Sequence, residues 1–309
     1  MGEAELLITV ASWEQRFLLG LKELVVESHP RNLLMYHFGE YDAYSAENRR
    51  MVDQLCKDSN VSLESFSVSF REPVKTWRTM YDTLKLDKLD GKTVIVDFTT
   101  MPRETLWTLL NLLEGSSAAI SYVYHRPERY NDSWLSRDPG KPRLVYKLAG
   151  EARLGARTLL LVLTGYDPER VEQLVRFFDP YHTLLGLQTG EQYNNQSMNV
   201  SKYKQYERQP GFTTFGLDAY SDDHGFATIE AQLKDYLGGF NIIMSSLGPK
   251  PSAIALYRLK KKYPQTSLAY APSNEFNHEY SYGIGGKCTG KLEQENPRQE
   301  EPKESGHGK

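Results

Sequence analysis

The second half of this chain repeats the first, and the repeat constrains the fold more than any other feature. The stretch 158–178, TLLLVLTGYDPERVEQLVRFF, follows the pattern of 5–24, ELLITVASWEQRFLLGLKEL. Residues 183–199 follow 32–48, with Gly39-Glu40 answered by Gly190-Glu191 and Asn48 by Asn199. Residues 241–259 follow 93–113, which sets Pro102-Arg103 opposite Pro249-Lys250. Residues 267–277 follow 121–131, with Tyr124, Pro127 and Asn131 answered by Tyr270, Pro272 and Asn277. The matches keep their order, and the offset drifts only from about 153 to 145. Serial self-similarity of this length implies two similar structural units.

Within each unit short apolar runs alternate with helical patterns. In the first half the strand candidates are 6–11, 32–38, 63–70, 93–99 and 119–125, separated by helical stretches near 13–27, 45–58, 74–87 and 102–113. Such alternation predicts a parallel sheet with crossover helices. The runs LLITV and VIVDF are apolar at nearly every step, as in strands covered on both faces. The expected fold class is α/β: two tandem Rossmann-like parallel-sheet lobes of five strands each, related by internal duplication. The expected divisions are 1–150 for the N-terminal lobe with its connector, 151–289 for the C-terminal lobe, and 290–309 for a disordered tail too polar to offset its ordering entropy. RLVYKL, within the connector 138–157, could add a strand.

Charge and cysteine usage exclude several classes. The net charge of −3 gives no global basic field, so there is no strong nucleic-acid signal and any anion site must be local. Cys56 and Cys288 fit neither a metal spacing nor a disulfide framework, and a reducing cytoplasm is the simplest setting. No basic-then-apolar leader and no bilayer-length apolar run are present, so no membrane partner is expected. A Walker loop, a nucleophile elbow and a metal cluster are also missing from the sequence, and neither metal nor cofactor is expected.

In open α/β sheets ligands bind beyond the carboxyl ends of the strands, at the topological switch point. The repeated motifs fall at those ends. After the fourth strands come Thr99-Thr100-Met101-Pro102-Arg103 and Ser245-Ser246-Leu247-Gly248-Pro249-Lys250. A helix start there offers unpaired N–H groups and partial positive charge, Pro costs no hydrogen bond in the first turn, and the cation sits where a phosphate would be met. Arg103 and Lys250 are thus candidate phosphate contacts, with Thr99, Thr100, Ser245, Ser246 and Gly248 beside them. Plain N-capping with solvated cations is the competing reading. Trp13, Tyr41, Tyr124, Tyr166 and Tyr270 could stack on a base, close the cleft, or pack in the core. Glu14 and Asp167 follow the first strands, and Glu40 and Glu191 the second. These four are the candidate acids or bases of an enzyme, although acidic residues also suit any helix start. Asp97 could orient the threonines. His125 precedes Arg126 and Arg129 and could be a general acid, a ligand contact or a surface histidine. Residues 131–143, with Arg137, Lys141 and Arg143, could be a lid over a polyanion or a connecting loop. Gly283-Ile284-Gly285-Gly286 lacks a following helix and reads as a flexible exit into the tail.

The layout resembles the CRISPR-associated Rossmann fold, or CARF, family of cyclic-oligonucleotide sensors. FTTMPRE (98–104) and SSLGPK (245–250) are similar in position and chemistry to that family's fourth-strand loop, although its usual Thr-Gly-Gly-Thr-Lys is absent from both. The resemblance implies a ligand held across a two-fold axis, here a pseudo-dimer within one chain, and a protein effector partner in antiviral defence. The expected function is a cytoplasmic, sensor-type protein binding a phosphorylated small molecule, a nucleotide or cyclic oligonucleotide, between the lobes. The alternatives are a nucleotide hydrolase or glycosidase in the same cleft, and a structural subunit with a vestigial cleft.

Overall fold

A computed structural model of the chain describes residues 3–131, 133–189 and 196–292. The first half contains β1 (Leu6–Val10), α1 (Gln15–Ser28), β2 (Asn32–Phe38), α2 (Asp42–Asp58), β3 (Ser62–Val68), α3 (Pro73–Leu84), β4 (Thr93–Asp97), α4 (Arg103–Leu113) and β5 (Ala119–Arg126). Three short strands follow: β6 (Arg129–Tyr130), β7 (Ser136–Pro139) and β8 (Arg143–Leu144). The second half contains β9 (Arg157–Leu163), α5 (Pro168–Phe178), β10 (His182–Gln188), α6 (Gln196–Tyr203), β11 (Phe212–Leu217), α7 (Phe226–Leu233), β12 (Phe240–Ser246), α8 (Pro251–Lys262) and β13 (Ser267–Tyr270). It ends with β14 (Ser273–Phe276), β15 (Ser281–Tyr282) and β16 (Gly286–Lys291).

Each half builds one sheet, and the strand orders correspond. The first runs β16-β5-β4-β1-β2-β3 and the second β8-β13-β12-β9-β10-β11. Strands β1 to β5 of the first and β9 to β13 of the second are parallel, and the order reverses between β1 and β4 and between β9 and β12. These are two Rossmann-like lobes. Strand alternation explains their burial. Ile8, Val10, Val94 and Val96 feed one apolar cluster, while Leu7 and Ile95 feed another beneath α1 and α2. In the second lobe Leu159, Leu161 and Leu163 face the first cluster, and Leu160 and Val162 face α5.

The sixth strands break the simple division of the chain. β16 pairs antiparallel with β5 of the first lobe, and β8, from the connector, pairs antiparallel with β13 of the second. Each half thus closes the other's sheet edge. The predicted connector strand shrinks to Arg143–Leu144. The predicted tail starts too early, because Gly290 and Lys291 are ladder residues. Gly283-Ile284-Gly285-Gly286 leads into β16 rather than out of the fold. Residues 293–309 lie outside the described residues.

The fourth helix of each lobe joins the two halves. α4 and α8 are buried around almost their whole circumference, which suits a helix packed between layers. Trp107 is fully buried and its Nε1 donates to the Ala253 carbonyl at 2.8 Å. Burying one tryptophan contributes on the order of 5 kcal/mol of gross apolar transfer. Glu114 accepts from Tyr257 and Lys261 across the same seam. Trp107→Phe is expected to cost about 1–3 kcal/mol in urea unfolding, through the lost hydrogen bond and a small cavity, with a single transition retained. Two separated transitions would mean that the lobes do not share this core.

Candidate functional site

The carboxyl ends of β1, β4, β9 and β12 turn toward one another. The tips after β1 and β9 carry Trp13-Glu14 and Tyr166-Asp167. The tips after β4 and β12 carry Thr100 to Arg103 and Leu247 to Lys250. Between them lie two cavities, of about 110 and 50 Å³, that share a wall of Arg16, Arg103, Arg170, Lys250 and Tyr280. Two ribbons, β7 with β14 and β6 with β15, form part of the surround and contribute Ser136, Phe276 and Tyr130 to it.

The fourth-strand tips lock the lobes reciprocally. Arg103 donates to the Gly248 carbonyl of the opposite tip, and Lys250 Nζ donates to the Thr99 carbonyl at 2.7 Å. Both cations also border both cavities. Gly248 is required by space: a Cβ there would stand 2.4 Å from the Thr164 carbonyl oxygen.

Most of the expected hydroxyls are not at the cavities. Thr100 borders the larger one, and its Oγ1 donates to the Val10 carbonyl at 2.9 Å. Thr99, Ser245 and Ser246 are buried in the sheet ends and border neither cavity. Thr99 Oγ1 accepts from the His125 amide, and Ser246 bonds Ser252 at 2.8 Å. Ser245 and Ser246 point to opposite faces of β12 and Thr99 lies just beyond β4, yet all three are buried because both faces of these sheet ends are covered. Asp97 orders this corner, accepting from Thr9 Oγ1 at 2.9 Å and the Thr99 amide at 3.1 Å.

The cations most deeply set in the wall are two that the sequence reading missed. Arg16 and Arg170 are 1% and 8% exposed. Arg16 pairs with Glu14 at 2.9 Å and donates to Tyr124 Oη at 3.2 Å. Arg170 donates to the Ala271 carbonyl, and the Nε atoms of Arg170 and Arg103 are buried without a partner. Each arginine follows an acid at the start of its lobe's first helix: Glu14-Gln15-Arg16 and Asp167-Pro168-Glu169-Arg170. That aromatic–acid–arginine pattern was legible in both halves.

The electrostatics of the wall are strained toward positive charge. Burial alone would raise the Glu14 carboxyl, but the charges of Arg16 and Lys250 and hydrogen bonds from Arg16 and Ser281 outweigh it and hold the group below its usual range. Burial, with Arg16 and Arg103 nearby, drives the Lys250 ammonium well below the ordinary lysine value, against the pull of Glu14 and Asp97. Burial likewise lowers Arg170. Four cations thus meet two carboxylates, Glu14 and Asp167, around unfilled space.

The remaining candidates separate clearly. Trp13, Tyr41 and Tyr270 border the larger cavity, and Tyr124 and Tyr166 the smaller. Asp167 borders the smaller cavity while capping α5 through the Glu169 amide at 3.1 Å. Glu40 borders neither cavity; it accepts from Ser69 Oγ at 2.6 Å and from the amides of Phe70 and Arg71, which fixes the turn after β3. Glu191 lies outside the described residues. His125 is fully buried, so it is neither a surface histidine nor a cavity residue. It packs so tightly on α1 that a Cβ at Gly20 would lie 2.5 Å from its Nδ1. Arg126 and Arg129 lie over the rings of Tyr220 and Tyr282. The segment 131–143 reaches the cavities through Leu135 and Ser136, but its cations are held elsewhere: Arg137 on Glu275, Arg143 on Glu104, and Lys141 over Phe177. Cys56 and Cys288 are unpaired, and among the described residues no helix is long and apolar enough to cross a membrane.

No family model and no curated protein matches the chain. Among solved structures it is similar to a type III CRISPR defence DNA nuclease activated by cyclic oligoadenylate, with a TM-score of 0.52 at 10% identity. That match covers 82% of this chain and 63% of the nuclease, less than two thirds of its length. It shows a shared fold. The cytoplasmic domain of a prokaryotic cation chloride cotransporter matches with a TM-score of 0.28 at 12% identity, over 89% of this chain and 98% of that one. The N-domain of a bacterial malonyl-CoA reductase with NADP matches with a TM-score of 0.22 at 10% identity, over 85% and 78%.

Proposed function

We propose that this chain is a sensor-type binding protein that takes a phosphorylated small molecule of the nucleotide class into the crevice between its lobes. The observation that carries the reading is the shared wall of Arg16, Arg103, Arg170 and Lys250, drawn from both lobes and incompletely neutralised. Buried charge without a counter-charge is costly, and a phosphate is the anion whose oxygens match guanidinium donors. The aromatic rings beside that wall favour a ligand with a planar group. Signalling to a protein effector, in a cytoplasmic defence setting, belongs to the same proposal and is prompted by the activation of the similar nuclease by cyclic oligoadenylate. Binding is favoured over turnover because Glu14 is held by Arg16 and Ser281, Asp167 by its capping bond, and Glu40 by a turn.

The test is extraction and mass spectrometry of small molecules that co-purify with the protein, paired with thermal unfolding in a panel of nucleotides. A true ligand at a hundred times its Kd adds about 2.7 kcal/mol of stability, which is roughly 4 °C in Tm for a chain of this size. It should be recovered intact. Arg103→Ala/Lys250→Ala should lose both the co-purifying molecule and the shift. Equal recovery from wild type and the double variant removes the phosphate assignment, and conversion of the added nucleotide establishes an enzyme instead.

A further inference from the structure

The internal dyad relates the two cavities, yet their chemistry differs. Trp13 of the larger corresponds to Tyr166 of the smaller, Tyr270 to Tyr124, and Phe276 to Tyr130. In each, the first-strand aromatic comes from one lobe and the fifth-strand tyrosine from the other. The larger cavity is boxed by rings. Trp13 and Tyr41 have centroids 5.4 Å apart, Tyr41 and Phe70 5.9 Å, and Tyr41 and Phe276 6.0 Å. Trp13 Nε1 is buried without a partner, a donor that a ring nitrogen would satisfy. The counterpart of Tyr41 falls within 190–195, outside the described residues. Phe38 corresponds to Thr189, which borders neither cavity, and Phe70 to Tyr220, which lies under Arg126 at 5.0 Å. The smaller cavity presents the Tyr124 and Tyr130 hydroxyls, 3.2 Å apart, where the larger has Tyr270 and Phe276, and each cavity has one carboxylate, Asp167 and Glu14. Its volume of about 50 Å³ is less than half that of its partner. By the measure in which one water needs about 10–15 Å³, it holds a few waters' worth of polar groups.

We infer that the ligand is asymmetric: a nucleotide with one base in the larger cavity among Trp13, Tyr41, Phe70 and Phe276, phosphates at the shared cation wall, and a hydroxyl-rich sugar in the smaller cavity. This rests on the nucleotide-binding reading above. It narrows that reading away from a two-fold ring, which would place equivalent bases in both cavities.

The test is calorimetric titration of the full chain with ADP-ribose, AMP, ribose 5-phosphate and cyclic tetra-adenylate. One ADP-ribose should bind per chain, at least tenfold more tightly than AMP or the cyclic ring. Trp13→Ala should weaken ADP-ribose and AMP at least tenfold and leave ribose 5-phosphate within twofold. Trp13→Phe keeps a ring but not the Nε1 donor and should bind ADP-ribose more tightly than Trp13→Ala and less tightly than wild type, which guards against a folding defect in the alanine variant. Tyr166→Ala should weaken ADP-ribose and spare AMP. Tighter binding of the cyclic ring, with Trp13→Ala and Tyr166→Ala equally damaging, overturns the asymmetric assignment and leaves the proposed function standing. Failure of all four probes, ribose 5-phosphate included, removes both.

Discussion

Arg16→Met is expected to cost about 3–5 kcal/mol of folding free energy, and Glu14→Gln in the same chain is expected to restore most of it. Glu14 and Arg16 are 9% and 1% exposed and 2.9 Å apart. Removing the guanidinium leaves a buried carboxylate supported by Ser281 and the more distant Lys250. Removing both charges leaves two neutral side chains of similar volume and no buried charge stripped of its pair. The pH dependence separates this from simple cavity formation. In wild type the Glu14 pKa is depressed by folding, so its contribution is present above the unfolded carboxylate value of about 4.3 and is lost as pH falls through the folded value. Without Arg16, burial of Glu14 is opposed only by Lys250 and Ser281, and the folded pKa is expected to rise above the unfolded one. Acidification toward pH 5 should then recover stability in Arg16→Met while leaving Arg16→Met/Glu14→Gln unchanged. Urea unfolding at pH 7 and 5 measures all of these. A loss below 1 kcal/mol, or identical pH profiles for the single and double variants, would show that the pair is not the keystone of this corner.

The repeat made the architecture legible because its elements obey local rules. LLITV and TVIVD are apolar at both alternations, and both alternations meet helices. Asp167 before Pro168 and the apolar ring of α4 mark helix starts and an interlobe helix. The edges were illegible. GKCTGK has no apolar alternation, and β16 exists because the exposed edge of β5 needs partners for its amides and carbonyls. The fourth-strand cations stand out in the sequence because they recur beside Pro, but the clasp they form across the dyad depends on lobe placement. The acid–arginine pattern of Arg16 and Arg170 recurs in the sequence, but their meeting in one wall depends on the lobes facing each other. Thr99, Ser245 and Ser246 border neither cavity because both faces of these sheet ends are covered, which residue type does not reveal.

Phosphate binding is expected to take up a proton at Lys250 in mildly alkaline solution. Its ammonium is buried, near Arg16 and Arg103 and opposed by Glu14 and Asp97, and its folded pKa lies well below the ordinary value. The sign follows from linkage. Between that folded pKa and the unfolded value of about 10.4, the unfolded state binds more protons, so the stability of the free protein rises with pH. A bound phosphate does the reverse: its negative charge favours the ammonium, and affinity falls as pH rises, by at most about tenfold per unit for one proton. The window from pH 7.5 to 9 excludes the phosphate's own ionisation near 6. Calorimetry of a phosphorylated ligand in buffers of different ionisation heat should give an uptake between zero and one proton for wild type. Lys250→Arg retains positive charge throughout and should bind with no uptake and a flat profile, though its different geometry at the Thr99 carbonyl will weaken binding. Lys250→Met should lose roughly 30-fold or more, the loss expected when one partner of a buried charged contact is removed. Equal proton uptake by wild type and Lys250→Arg would place the titrating group elsewhere and take Lys250 out of the phosphate site.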